Sequence, residues 1–221
     1  MSRHFEQELQ SLKTTLIKMG SLAEDAIRSA LRSLFESDAA LAAKVIEGDG
    51  RINGLEIEID NAIIDLLALK QPVAIDLRMI LAAQKINNDL ERIGDHAVNI
   101  AESAITLLQQ EFQEPFFEIP QMGELAQHML RDALDSFIHN DSNLGISILE
   151  HDDEIDELNR RVVREFIDRM KKDVKTIERG MELIRISRNL ERVADLATNI
   201  AEEVIFFTQA RIVKHHAEGK K

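Results

Sequence analysis

The stretch LERIGDHAVNIAE, Leu90 to Glu102, returns 100 positions later as LERVADLATNIAE, Leu190 to Glu202. Leu90, Glu91, Arg92, Asp95, Asn99, Ile100 and Glu102 recur as Leu190, Glu191, Arg192, Asp195, Asn199, Ile200 and Glu202. A long near-repeat at one large offset marks an internal duplication, so whatever the first half folds into, the second must fold into as well.

The copies extend well beyond this stretch. MGSLA at Met19 to Ala23 matches MGELA at Met122 to Ala126, Arg28 to Leu31 match Arg131 to Leu134, and Asp38 matches Asp141. Asp49, Ile52, Asn53 and Leu55 map at the same offset of 103 onto Asp152, Ile155, Asp156 and Leu158. Since the offset later drops to 100, the second copy lacks three residues between Leu158 and Leu190, most simply at a shortened hairpin near Asp173.

Each copy reads as helix. Phe5, Leu9, Leu12, Leu16, Met19, Ala23, Ala26, Ala30 and Leu34 step by three and four, which marks one face of a long helix from Phe5 to Phe35. Asp38 is placed to N-cap a short helix through Glu47, and Gly48-Asp49-Gly50 ends it. Asp49 then opens a second long helix to Lys70, broken at Gln71-Pro72. Proline is tolerated in a helix's first turn, so Pro72 is expected to start the third long helix, which runs to Gln110. With only 9 Gly, 3 Pro and no Trp or Tyr, the chain is poor in the residues of turns and strands.

The expected fold is therefore all-α: two tandem three-helix bundles related by internal duplication. Residues 1–110 form the first bundle and residues 121–221 the second, ending in a basic tail that includes His215-His216. The linker 111–120 carries two of the three prolines and three phenylalanines, whose rings are expected to pack against a bundle.

Charge narrows the function. A net charge of -13 disfavours nucleic acid as the partner, because phosphate backbones need a positive surface. The absence of cysteine removes disulfides and thiolate metal sites, which leaves oxygen ligands and hard cations. The first ten residues lack the unbroken apolar run of a secretory signal, and Ala62 to Leu69 is interrupted by Asp65 and too short to span a bilayer. A soluble, cytoplasmic protein is expected.

On a helix, Glu91, Asp95 and Glu102 fall within about 40° of one another, away from the apolar stripe of Ile86, Leu90, Ile93, Ala97 and Ile100. Like charges four residues apart repel. In an antiparallel hairpin centred on Pro72, residues equidistant from the turn face each other, so Asp49 meets Asp95 and Asn53 meets Glu91. The second hairpin, centred between Asp173 and Val174, likewise sets Asp152 against Asp195 and Asp156 against Glu191. The three-residue deletion thus preserves the register. Four oxygen-rich side chains converging from two helices suit one or several di- or trivalent cations, against the plainer reading of a solvated acidic face. Other patterns are weaker: a ferritin-like centre needs Glu-x-x-His on two helices, and His96 has Leu196 as its counterpart. Glu124 and His128 read as a surface contact, and no Gly-rich phosphate loop or nucleophile elbow is present.

DGRINGLE, QPVAIDLR and LERIGDHAVNIAE in the first half, with LERVADLATNIAE in the second, resemble the PhoU family, regulators attached to bacterial phosphate uptake. The resemblance covers nearly the whole chain. It implies two pseudo-symmetric three-helix bundles holding iron or zinc clusters on paired E(D)xxxD motifs, with Asp49, Asn53, Glu91 and Asp95 as ligands in one and Asp152, Asp156, Glu191 and Asp195 in the other. Asn53 departs from the motif, and Glu56, one turn on, is its candidate replacement; Asn99, Glu102, Asn199 and Glu202 are candidate additional or supporting ligands. The resemblance implies no catalysis but a negative regulator of phosphate homeostasis, linking the ATPase subunit of a phosphate ABC transporter to a sensor histidine kinase. A homodimer is the expected assembly, reaching the membrane only through its partners. Asp76 and Arg78, replaced in the second copy by Thr176 and Glu178, are candidate partner contacts. The alternative function is a carboxylate-bridged metal enzyme or iron-storage bundle.

Overall fold

The computed structural model describes residues 3–110 and 118–213. The linker phenylalanines Phe112, Phe116 and Phe117 and the histidines His215 and His216 lie outside the described residues. Helices α1 (Arg3–Phe35), α2 (Ala39–Gly48), α3 (Gly50–Lys70) and α4 (Ala74–Leu108) form the first half. The second half repeats them as α5 (Ile119–His139), α6 (Ser142–Leu149), α7 (Asp152–Lys172) and α8 (Ile177–Gln209), with one 3-10 turn at Val174–Thr176. No strand occurs among the described residues.

The short helices begin as their sequence dictates. Asp38 accepts from the Leu41 N–H at 2.9 Å, and Asp141 from Asn143 and Leu144 at 2.9 and 3.2 Å, which satisfies donors that a helix start leaves open. Asp49 behaves differently: it stands at the N-terminus of α3 with helical backbone angles and makes no capping bond. Its carboxylate accepts instead from the Asn53 side chain one turn on, at 2.8 Å.

Two boundaries depart from the sequence expectation. Pro72 does not start α4, which opens at Ala74 after an extended Val73; instead Gln71 adopts a left-handed conformation (φ 48°) and terminates α3. Proline denies the residue before it the right-handed helical region, so Pro72 acts on the end of α3 rather than on the start of α4. The other departure is at Ile119, which is fully buried and begins α5 with Pro120 in its first turn, inside the stretch expected to be linker. The three residues missing from the second copy are those of the corner: Gln71, Pro72 and Val73 join α3 to α4, whereas Asp173 alone separates α7 from the 3-10 turn.

In each half three long helices pack around an apolar core, with Ile59, Ile80, Ile86 and Leu90 in the first and Ile155, Leu158, Ile186 and Leu190 in the second all fully buried. The halves are not separate beads. Helices α4 and α8 run antiparallel along each other: His96 Nδ1 lies 2.8 Å from Asn189 Oδ1, Ser103 donates to Glu182 at 2.6 Å, and Lys85 pairs with Glu203 at 2.8 Å. Helices α1 and α5 cross at the repeated glycines. A Cβ on Gly20 would collide with the Leu134 side chain, and one on Gly123 would lie 2.9 Å from Leu31 Cδ1. Leu31 and Leu134 are themselves counterparts, so each copy inserts the same leucine over the other's glycine.

Candidate functional site

The hairpin register is visible in the bonds between α3 and α4. Gln84 donates to Asp60 at 2.9 Å, two residues equidistant from Pro72, and Asn87 donates to Asp60 at 2.8 Å and to the Glu56 carbonyl at 3.1 Å. In the second half Ser187 donates to Asn159 at 2.7 Å, at the positions of Asn87 and Glu56. This register carries the acids toward one another.

In the first half burial, then the charges of Asp95, Glu56 and Asp49, raise the Glu91 carboxyl above its ordinary range, against the opposing pull of Arg92. Glu56 therefore belongs to this set. Asn53 Nδ2 donates to Asp49 Oδ2 at 2.8 Å, while Asp49 Oδ1 and Asn53 Oδ1 are both buried without a hydrogen-bond partner. Asp95 is exposed. A residue that sequence reasoning missed makes the approach possible: a Cβ at Gly94 would lie 3.0 Å from Ile52 Cδ1 and 3.2 Å from Asp49 Oδ1. The sign was a glycine inside a strongly helical stretch.

The second set has a carboxylate at all four motif positions and Asn159 where the first has Glu56. Burial, followed by the charges of Asp152 and Glu191, pushes the Asp195 carboxyl up from 3.8 to about 6, with Asp156 adding to the effect and Arg192 opposing it. Arg192 Nη1 stands 3.3 Å from Asp195 Oδ2, and Thr198 Oγ1 is 3.4 Å from Asp152 Oδ1. These side chains line an open cleft of ≈ 450 Å³ that also includes Asn199, Glu202 and, from the first half, Arg92.

The supporting residues divide between the copies. Asn199 and Glu202 border the second cleft, but Asn99 and Glu102 each accept from Arg185 of α8 at 2.8 Å and so brace the halves together. His96 meets Asn189 instead of joining the acids, as a ferritin-type centre would require. His128 pairs with Asp132 at 3.2 Å instead of Glu124. Of the corner residues, Asp76 lies in the first turn of α4 and lines a cleft of ≈ 500 Å³ with Lys13 and Phe207, while Arg78 is half-buried with Nε shielded and without a hydrogen-bond partner.

Two sets of oxygen donors, each drawn from facing helices at a cost in mutual repulsion, fit a hard cation in kind. Among the described residues no group of three or more His, Cys, Asp or Glu is arranged to hold a metal ion as it stands, so the side chains would have to turn inward to do so.

Tandem helical bundles related by duplication define a class of all-α protein, and the chain falls within it. The PhoU domain model matches residues 16–104 and again 119–204. The chain is 41% identical over 209 residues to the phosphate-specific transport system accessory protein PhoU homolog of Aquifex aeolicus, covering 95% of each. It superposes on the crystal structure of PhoU from Pseudomonas aeruginosa with a TM-score of 0.91 at 36% identity, covering 94% of this chain and 100% of that one. A second solved structure, the phosphate transport system regulatory protein PhoU from Streptococcus pneumoniae, gives a TM-score of 0.88 at 32% identity, covering 95% and 99%. The chain belongs to the PhoU family. No described helix is long and apolar enough to cross a membrane.

Proposed function

We propose that this chain is a metal-binding regulatory adaptor of phosphate homeostasis, restraining a phosphate-starvation response by joining a phosphate ABC transporter to a sensor histidine kinase. The observation that carries the metal reading is the second acidic set, where Asp152 and Asp195, from facing helices, line one cleft with Asn199 and Glu202. Burial first, and the neighbouring carboxylates second, disfavour the charge on Asp195, and a cation would offset both. In the first half the buried, unpartnered Oδ1 atoms of Asp49 and Asn53 are free to ligate. Asp152, Asp156, Glu191 and Asp195 would hold one cluster, and Asp49, Glu56, Glu91 and Asp95, with Asn53, the other. A bound iron or zinc ion would neutralise the facing carboxylates and lock the two hairpin arms together. The regulatory half of the proposal rests on family membership and on relatives named for phosphate transport.

Elemental analysis of protein purified without chelators tests the clusters. Wild type is expected to carry iron or zinc, and a Glu91→Ala/Asp95→Ala/Glu191→Ala/Asp195→Ala variant to carry essentially none; equal contents would end the metal reading. Binding to the transporter ATPase and to the kinase tests the adaptor, with Arg78→Glu expected to weaken one of the two. We propose that a homodimer forms through the uncharged outer face of the first hairpin, where Ile57, Ile64, Leu77 and Leu81 are exposed. Sedimentation of Leu81→Glu as a monomer would support that assignment, and an unchanged dimer would exclude it.

A further inference from the structure

The outer face of the second hairpin has a chemistry that the first lacks. On α3 and α4 the exposed positions Ile57, Asn61, Ile64, Ala68, Leu77 and Leu81 carry no charge. Their counterparts are Arg160, Arg164, Ile167, Lys171, Ile177 and Met181, all exposed, and Asn88 is matched by Arg188. The apolar residues that remain are exposed, from Ile167 at 38% to Val174 at 73%, with Ile177 at 43% and Met181 at 55% between them. Lys171, Lys172 and Lys175 surround Val174 at the corner, on a chain whose net charge is -13.

Most acids of this hairpin are engaged, although Glu178 in the first turn of α8 is exposed. Asp168 accepts from Lys171 Nζ at 3.1 Å, the Asp173 side chain accepts from the Lys175 N–H at 3.0 Å, and Glu157 takes Arg160 and Arg164 at 3.1 and 3.0 Å. The corner is also held in shape, since Thr176 Oγ1 donates to the Asp173 carbonyl at 2.7 Å. Little order remains to be gained on docking.

We propose that the α7–α8 corner docks on an anionic phospholipid surface, with Val174, Ile177 and Met181 entering the headgroup layer and Lys171, Lys172 and Lys175 facing lipid phosphates. Charge complementarity selects an anionic partner, and exposed apolar side chains with cations beside them match the apolar-beneath-anionic profile of a bilayer. An acidic helix of a protein partner would seat in a groove, and none of the clefts described above is lined by residues of this corner.

Because the chain has no tryptophan, Val174→Trp gives a single reporter at the corner, and Leu77→Trp a matching reporter on the first hairpin. With phosphatidylglycerol-containing vesicles, Val174→Trp emission is expected to shift to the blue and Leu77→Trp emission to stay unchanged; pure phosphatidylcholine vesicles should shift neither. In co-sedimentation with the otherwise native full chain, Lys171→Glu/Lys172→Glu/Lys175→Glu should lower the affinity for anionic vesicles roughly a hundredfold, and added salt should weaken it similarly. Far-UV dichroism confirms that each variant is folded. Absence of binding to anionic vesicles, binding indifferent to the triple charge reversal, or a shift of Leu77→Trp alone would each overturn the proposal, the first in favour of an acidic protein partner.

Discussion

The two hairpins share a register and differ in what they do with it. α3–α4 brings together Asp49, Asn53, Glu56, Glu91 and Asp95 and shows an uncharged apolar outer face; α7–α8 has a carboxylate at all four motif positions and a face studded with arginine and lysine. Backbone geometry was therefore retained while the charge on both surfaces diverged. Duplication fixes the positions of side chains, and their identities remain free to specialise wherever the core does not claim them.

The inter-half braces offer the sharpest break in the symmetry. Lys85 pairs with Glu203, whose side chain is 5% exposed, whereas Arg185, the counterpart of Lys85, pairs with Glu102, which is 48% exposed. Lys85→Ala is expected to lower the unfolding free energy by about 2–3 kcal/mol and Arg185→Ala by under about 1 kcal/mol, as measured by urea titration. Equal losses would mean that burial does not distinguish the braces.

The crossing of α1 and α5 tests the symmetry that was kept. Gly20→Ala and Gly123→Ala should each cost about 1–2 kcal/mol by forcing Leu134 or Leu31 aside. A neutral result at either would show that the helices can part there freely.

Exchanging the single unmatched motif position addresses the sites. Asn53→Asp should raise the cation affinity of the first half, and Asp156→Asn lower that of the second, each about tenfold by calorimetric titration, because one ligand charge is added or removed. If both halves respond alike to neither change, those positions are not ligands.

The smallest effect is electrostatic. Asp195 titrates at about 6 in the folded chain against 3.8 when exposed, so its proton is bound more tightly by the native state. The stability it confers is complete below 3.8 and is lost as pH rises through about 6. In metal-free protein the wild type should exceed Asp195→Asn in its pH dependence across this window by about 1 kcal/mol, after allowance for solvent screening of a half-exposed side chain.

Much of this was legible in the sequence, for identifiable reasons. Helix spans followed from apolar spacing, and the hairpin register followed because two rigid rods joined at a corner leave a single pairing that buries both stripes. That Asn99 and Glu102 accept from Arg185 could not be read beforehand, because Arg185 lies on the other half and a repeat within one helix carries no information about which foreign helix it touches. Gly20 and Gly123 were visible as matched residues, yet their purpose emerges only when α1 lies across α5. Pro72 exerts its effect backward on Gln71, where a local rule about helix starts does not look.

The antiparallel run of α4 against α8 points the two corners in opposite directions. With 35 residues in α4 at about 1.5 Å each, the apolar corner at Val73 and the basic corner at Val174 stand about 50 Å apart. A molecule resting on lipid by its basic end would hold the other end at one height above the sheet. Whatever meets that end would then be sought in a plane at fixed altitude instead of throughout a volume, and encounters there would become more frequent without any tighter contact.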